Sequence, residues 1–465
     1  MTSDPILEPP HSGEGWRGEI RATLALAWPL SLANMAQMLV HAIDVIFVAR
    51  LGDEALAASS LAIALFGVVI WSLTGMAGMV AALIAAELGR KKHAVREVRR
   101  SARMGLWLAA ALGALAMIPL SFGEEMMLAT GQDPRVAAMA ERFLAIIMWA
   151  CVPMLLAGVL RNFVSALGRP IFATMITVFA IGVSALANYA FVFGNLGMPA
   201  MGLEGSALAS LTVSCFILAS YVVAIRLDRR LRRYRVFGNW WRPEWSRLRE
   251  LVTKGAPVTL TILAEAALFS SAAFLMGRIG PTELAGHTIA LQLAALAFQV
   301  PMGVAQAATI RVGYFYGARN TAGIARAGWS ALVIGGGFML LTASAMLFAP
   351  TFIIRLYVDP DAPRNAALVA FAVQYMVVAA AFQLFDGVQA VAAGALRGLQ
   401  DTRVPMWLAL FGYWIPGLGT AIWLGFYTPL EGTGVWIGLA VGLIVVAVLL
   451  TWRWARRGRL ALVPF

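Results

Sequence analysis

The sequence predicts an all-α integral membrane protein, with twelve transmembrane helices in two pseudo-symmetric bundles of six. Three observations predict this fold: the composition, the number of long apolar segments and an internal duplication. The chain has 465 residues, of which 60% are hydrophobic and 13% are charged. An ordinary soluble domain has about 25% charged residues. The composition therefore indicates a polytopic membrane protein.

Apolar segments of about 20 residues are long enough to cross a bilayer as helices. The chain contains twelve of them. They cover residues 22–48, 56–86, 103–122, 137–159, 170–193, 203–225, 252–277, 284–314, 325–349, 366–395, 404–424 and 432–453.

The net charge of +12 comes from basic residues that are distributed unevenly between the two sides of the membrane. With alternate loops on opposite sides, one side collects 30 of the 36 lysines and arginines. The other side keeps six: Arg50, Arg135, Arg142, Arg278, Arg355 and Arg364. Because positive loops stay inside, both termini are expected in the cytoplasm. The charge is explained by topology, and no nucleic-acid partner is expected.

The polar ends and the longest connection are expected to be cytoplasmic. Residues 1–21 lack the apolar core of a cleavable signal peptide and are interpreted as an N-terminal tail. Residues 454–465 form the C-terminal tail. Residues 226–251 are interpreted as a basic linker, and three tryptophans in this region favour contact with the lipid surface. They are Trp240, Trp241 and Trp245.

The two halves of the chain repeat each other at an offset of 228 residues. Aligned pairs include Pro29/Pro257, Leu32/Leu260, Arg50/Arg278, Gly52/Gly280, Gly75/Gly303 and Gly89/Gly317. Six helices is an even number, so both halves enter the membrane from the same side as parallel repeats. We expect an N-lobe at 22–225 and a C-lobe at 252–453, with a central cleft that opens alternately to each side. This is transporter architecture.

One acid lies deep inside the tenth apolar segment. Asp386 has apolar residues on both sides, and a carboxylate at a lipid-facing helix centre costs about 2.5–3.5 kcal/mol. It should therefore face protein or water and mark a functional site. The alternative is a structural carboxylate paired with a neighbouring helix.

The first helix carries a polar stripe of Asn34, Gln37, His41 and Asp44, at spacings of three, four and three residues. These spacings place all four on one helix face, which we expect to line a cavity around an ionisable Asp44. A solvated acid at the interface is the alternative for Asp44, and a packing role is the alternative for His41.

In the seventh helix, Glu265 lies one turn after Thr261 and close to mid-membrane. In the eighth, Gln292, Gln299 and Gln306 recur every seven residues. Hydrogen bonding between helices is the alternative to ligand contact for these glutamines.

The sequence contains no phosphate loop, no HExxH, no GxSxG and no metal-ligand cluster. Its two cysteines, Cys151 and Cys215, lie inside apolar segments. No cofactor is expected, and uphill transport would draw on an ion gradient of H⁺ or Na⁺, because buried carboxylates bind these ions.

Several segments together resemble the multidrug and toxic compound extrusion (MATE) family, particularly its NorM-like bacterial branch. They are WPLSLANMAQMLVHAIDVIFVARLG at 28–52, GRP at 168–170, NYAFVFG at 188–194, GAPVTLTILAE at 255–265 and FDGVQAVAAGALRGLQDTRVP at 385–405. The resemblance implies a cation-coupled exporter of organic cations and amphipathic drugs. It also implies a bacterial inner-membrane location, and we expect the protein to act as a monomer.

Carried over residue by residue, Asp44 resembles the family's N-lobe acid, with Gln37 and Asn188 as polar neighbours. Glu265 and Asp386 resemble the C-lobe pair that binds the coupling ion, including Na⁺ as one alternative. The chain departs from the pattern at two positions. Phe382 stands where relatives often have tyrosine, and Ser184 stands where they often have asparagine. Each departure removes a potential oxygen ligand for Na⁺ or a hydrogen-bond partner. We therefore expect a proton gradient alone to suffice for coupling, with Na⁺ as an accessory or competing ligand.

Three other functions are weighed against this one. A flippase for a lipid-linked saccharide would line its cavity with arginines, whereas the buried charges identified here are acids. A major-facilitator transporter is suggested only by GRKK at 89–92, and the LRGLQDTRVP turn and paired prolines argue against it. An integral-membrane enzyme would need a catalytic constellation that the sequence lacks.

Overall fold

The computed structural model describes residues 15–91, 94–129, 131–355 and 358–463. Most of the predicted N-terminal tail and the last two residues of the C-terminal tail lie outside these ranges. The described residues are helical, with short turns and no strand. Within these ranges, twelve helices are long and apolar enough to cross a membrane, which confirms the predicted fold class.

We number these helices α1 to α12 in chain order. The first six are α1 Trp16–Ala49, α2 Asp53–Arg90, α3 Ala94–Leu120, α4 Pro134–Ala166, α5 Ile171–Phe193 and α6 Leu203–Leu227. The second six are α7 Trp245–Ile279, α8 Pro281–Gly317, α9 Thr321–Phe348, α10 Pro363–Gly398, α11 Arg403–Phe426 and α12 Glu431–Ala455. Short helices at Gly123–Ala129, Arg229–Arg232 and Pro350–Ile354 lie between them.

The chain forms two compact units. The first unit contains Leu32–Thr259, and the second contains the described residues up to Ser31 together with those from Leu260 onward. Helices α1 and α7 are therefore each divided between the units, close to the prolines at positions 29 and 257 that they carry inside the helix. That an N-lobe and a C-lobe act as separate functional units remains a prediction.

A buried ion pair holds the first part of α1 on the second unit. Arg311 on α8 donates from Nε to Glu19 Oε1 at 2.8 Å and from Nη2 to Glu19 Oε2 at 2.6 Å. The side chains are 1% and 2% exposed. Further along α1, Ser31 Oγ donates to the Val300 carbonyl at 3.2 Å. A Cβ at Gly303 would lie 2.7 Å from the Ser31 nitrogen, so glycine permits this close approach.

A corresponding contact holds the first part of α7 on the first unit, with the charges reversed. Arg247 donates to Glu97 Oε2 at 2.7 Å and to Glu87 Oε1 at 3.2 Å. Arg247 follows Glu19 by 228 residues, the offset of the duplication. These contacts also explain why α7 begins at Trp245, before the apolar segment that starts at 252.

The linker packs against α3 through a hydrogen bond and ion pairs. The indole nitrogen of Trp107 donates to the Trp240 carbonyl at 2.9 Å, and Arg100 and Arg103 both pair with Glu244. Trp241 remains exposed, so its predicted contact with lipid stays a prediction.

Each unit has one central helix. In the first unit, α4 packs against α2, α3 and α6. In the second unit, α10 packs against α8, α9 and α12. A Cβ at Gly394 of α10 would lie 2.5 Å from the Ala305 carbonyl oxygen of α8. The missing side chain therefore lets the two backbones approach closely, and it fixes the position of the acid earlier on α10.

Candidate functional site

The acid of the first unit, Asp44, is buried and accepts hydrogen bonds from two neighbouring helices. On α5, Ser184 Oγ and Asn188 Nδ2 donate to Asp44 Oδ1 at 3.0 and 2.6 Å. On α6, Ser210 Oγ donates to Asp44 Oδ2 at 2.8 Å. Asp44 is therefore enclosed by protein and is not a solvated acid.

These donors give Asp44 a defined chemical character. Hydrogen bonds to an ionised carboxylate are stronger than those between neutral groups, so the three donors orient both oxygens. Asn188 Nδ2 also donates to the Ser184 carbonyl at 2.9 Å, which holds the amide in place. A proton or cation that reached Asp44 would have to share its oxygens with these donors.

The rest of the α1 stripe divides into buried and exposed members. Asn34 is buried, and its Oδ1 accepts a hydrogen bond from Arg161 Nη2 at 2.5 Å. Gln37 and His41 are exposed. The structure therefore brings Asp44 together with α5 and α6, and Asn34 together with α4.

The second unit contains the two acids that the sequence singled out. Asp386 on α10 is buried, and its Oδ1 has no hydrogen-bond partner among the described residues. Glu265 on α7 is half-buried, and its Oε1 accepts from Gln389 Nε2 at 3.2 Å. The two carboxyl groups are close enough to interact electrostatically. Two like charges so placed favour binding of a proton or a cation between them.

A break in α11 brings a tyrosine to this pair. The helix is α-helical over Arg403–Gly412, forms a π-helical turn over Tyr413–Leu418 and resumes at Gly419. Pro416 lies inside that turn and cannot donate a backbone hydrogen bond. The buried Tyr413 begins the turn and interacts electrostatically with both Glu265 and Asp386. π-Turns occur frequently at functional sites.

Phe382, one turn before Asp386, is fully buried in an aromatic cluster. Its ring centroid lies 5.3 Å from that of Trp436 and 5.9 Å from that of Phe269. Of the other predicted lining residues, Thr261 is half-buried and Gln292 is exposed. Gln299 donates to the Ala295 carbonyl of its own helix at 3.0 Å.

The donor set limits which ion the second unit can hold. The described residues contain no group of three or more histidine, cysteine, aspartate or glutamate side chains placed to hold a metal ion. A hard cation requires several oxygen ligands, and here the carboxyl groups are supplemented by Gln389 Oε1 and the Tyr413 hydroxyl, neither of which has a hydrogen-bond partner among the described residues. A proton requires one oxygen only.

Sequence reasoning missed three residues at these sites: Ser210, Gln389 and Tyr413. Ser210 carries a weak signal, because Ser206, Ser210 and Ser214 recur every four residues along α6. Gln389 follows Asp386 by three residues and so shares its helix face. Tyr413 carries no such signal, because its placement depends on the π-turn.

Known proteins match this chain over most of its length. The family model described as MatE matches residues 29–190 and 257–423. A probable multidrug resistance protein NorM from Mesorhizobium japonicum is 46% identical over 96% of this chain and 96% of its own length. The multidrug resistance protein NorM from Burkholderia vietnamiensis is 37% identical, over 93% of each chain.

Solved structures agree with the fold. A eukaryotic MATE transporter superposes with a TM-score of 0.86 at 21% identity, covering 96% of this chain and 99% of that one. MATE in the bent conformation superposes with a TM-score of 0.84 at 19% identity, covering 99% of both chains. The matched residues extend through both halves of the chain, and the chain therefore belongs to the MatE family of membrane transporters.

Proposed function

We propose that the protein is a cation-coupled antiporter that exports amphipathic, often cationic drugs and toxic organic compounds. The observation that carries the proposal is that each unit of this MatE-family chain contains its own buried acid site. One is Asp44 with its three donors, and the other is Glu265 with Asp386. The names of the NorM relatives support drugs as the substrate class.

The chemistry of exchange follows from competition for the carboxylates. An ionised carboxylate attracts an organic cation, and it loses that attraction when a proton or Na⁺ occupies it. Ion binding and drug binding are expected to favour different orientations of the two lobes. Entry of the coupling ion into the cell then drives export of the drug. This alternating access requires no cofactor.

We further propose that a proton gradient alone suffices for coupling. Phe382 contributes no oxygen next to Asp386, and its ring is enclosed by Phe269 and Trp436. Phe382 therefore supplies none of the oxygen ligands that Na⁺ needs, whereas a proton needs only one carboxylate oxygen. Na⁺ then acts as an accessory or competing ligand at Glu265 and Asp386.

The proposal includes an orientation and a location. The protein acts as a monomer in the bacterial inner membrane, with both termini and the linker in the cytoplasm. The 30-to-6 asymmetry of basic residues supports this orientation.

Neutral variants of the three acids test the proposal. Asp44→Asn, Glu265→Gln and Asp386→Asn should each lose drug efflux from intact cells at unchanged expression. Asp361→Asn is the matched control, because Asp361 is an exposed acid that pairs only with exposed Arg355 among the described residues. Efflux at the wild-type rate by Asp44→Asn and Asp386→Asn would contradict the proposal.

A further inference from the structure

The second unit contains a buried polar cluster outside the acid pair. We call His287 on α8, Tyr375 on α10 and Trp436 on α12 the His287 cluster. All three side chains are fully buried. Both imidazole nitrogens, the tyrosine hydroxyl and the indole nitrogen have no hydrogen-bond partner among the described residues. Most buried polar side chains are hydrogen-bonded, so four such atoms in one region require a ligand.

The cluster is contiguous with the environment of Asp386. The ring centroids of His287 and Trp436 are 5.3 Å apart, and Trp436 is 5.3 Å from Phe382. Tyr375 packs beside Gly286, the residue before His287. A Cβ added at Gly286 would lie 3.4 Å from Tyr375 Cε2. Tyr375 is eleven residues before Asp386, which is about 16 Å along α10.

Two acidic residues lie near Tyr375, at the end of the second unit where α8 and α12 begin. Glu283 on α8 is half-buried, and Glu431 at the start of α12 is exposed. Both interact electrostatically with Tyr375, whose hydroxyl lies next to Gly432. Arg278 on α7 is one of the basic groups at this end, together with Arg355 and Arg364, and its guanidinium lies over the Phe426 ring.

Water fits the cluster's chemistry. An imidazole offers one donor and one acceptor, an indole offers a donor and a tyrosine hydroxyl offers both. Buried water typically makes about three hydrogen bonds to polar groups that otherwise lack partners. Leaving these atoms unpaired costs about 1–3 kcal/mol each. An apolar ligand would leave this cost in place.

We infer that the His287 cluster binds ordered water and forms the passage through which the coupling proton moves between the Glu283–Glu431 end of the second unit and Asp386. The imidazole accepts a proton from a protonated water at one nitrogen and releases the proton of its other nitrogen to a water on the Asp386 side. Rotation of the ring restores the first tautomer, so charge and protons balance. Phe382 lies between the cluster and Asp386, and displacement of its ring opens the last step. The transport role rests on the proposed proton coupling, whereas the water site does not.

Hydroxyl-radical labelling with mass spectrometry tests the water site in the full-length protein in lipid nanodiscs. X-ray irradiation generates radicals from bound water, so Tyr375 and Trp436 should be labelled despite their burial. Tyr221 of the first unit is the control, because it is a buried tyrosine, 2% exposed, that lies outside the cluster. Labelling of Tyr375 and Trp436 no stronger than that of Tyr221 would overturn the inference.

Variants test the passage. In liposomes with an imposed pH gradient, His287→Phe should lose most proton-driven drug exchange and should also remove the labelling of Trp436. Tyr375→Phe removes one hydroxyl and keeps the ring, so it should slow exchange even if His287→Phe fails to fold. Drug binding at equilibrium should be unchanged in both. Exchange at the wild-type rate in Tyr375→Phe and in folded His287→Phe would refute the passage. If exchange in the wild type needs Na⁺, the proton role fails while the labelling still decides the water site.

Discussion

Replacing Arg311 by methionine tests how the first part of α1 is held on the second unit. The change leaves the carboxylate of Glu19, which is 2% exposed, without its two charge-assisted hydrogen bonds. Breaking a buried ion pair by removing one partner costs about 3–5 kcal/mol, because an uncompensated charge remains buried. The guanidinium also lies 5.1 Å from the Phe315 ring centroid, a cation–π contact worth about 0.5–2 kcal/mol. Methionine preserves much of the aliphatic packing, so the loss is electrostatic.

The free energy of unfolding in mixed micelles measures this loss. Arg311→Met combined with Glu19→Gln should recover most of it, because removing both charges also removes the cost of burying them. Arg355→Met is the matched control, because Arg355 and Asp361 have side chains that are 61% and 78% exposed. An exposed pair of this kind is worth about 0–1 kcal/mol. If Arg311→Met destabilises the protein no more than Arg355→Met, the buried pair does not hold α1.

Other predictions address single contacts. Ser210→Ala should weaken drug efflux without abolishing it, because it removes one of three hydrogen bonds to Asp44, worth about 1.5–3 kcal/mol; efflux at the wild-type rate would contradict this. Gly394→Ala should lower the free energy of unfolding by about 1–3 kcal/mol, since the added Cβ meets the α8 backbone, whereas Gly337→Ala has open space and should not. A cysteine at Trp241 should react with an impermeant thiol reagent only after the cells are opened; labelling from outside intact cells would contradict the proposed orientation.

The fold could be predicted because its signals are local. Twelve apolar segments long enough for a bilayer and a repeat at a constant offset determine the helix number without reference to contacts. The start of α7 could not be predicted in this way. Its first turns are polar, and Arg247 is held there by Glu87 and Glu97, which are about 150 residues away in the chain. Such pairings leave no periodic pattern in the sequence.

The acids of the candidate sites could be predicted from the sequence, but most of their partners could not. Asp44 and Asp386 are conspicuous as acids in apolar helices, where a charge is costly. Their partners are not conspicuous. Ser210 is a serine in an apolar helix, and its role depends on how α6 packs beside α1. Tyr413 approaches the acids through a π-turn, whose position in α11 depends on tertiary packing as well as on Pro416.

The measurement that tests the central claim most directly is drug movement in liposomes that contain purified protein, under one ion gradient at a time. A pH gradient without Na⁺ should drive drug exchange in the wild type, and Asp386→Asn and Glu265→Gln should both lose it while retaining some drug binding. A Na⁺ gradient without a pH gradient should drive little exchange. Exchange with the Na⁺ gradient and none with the pH gradient would contradict proton coupling, and exchange with neither would contradict the antiporter itself.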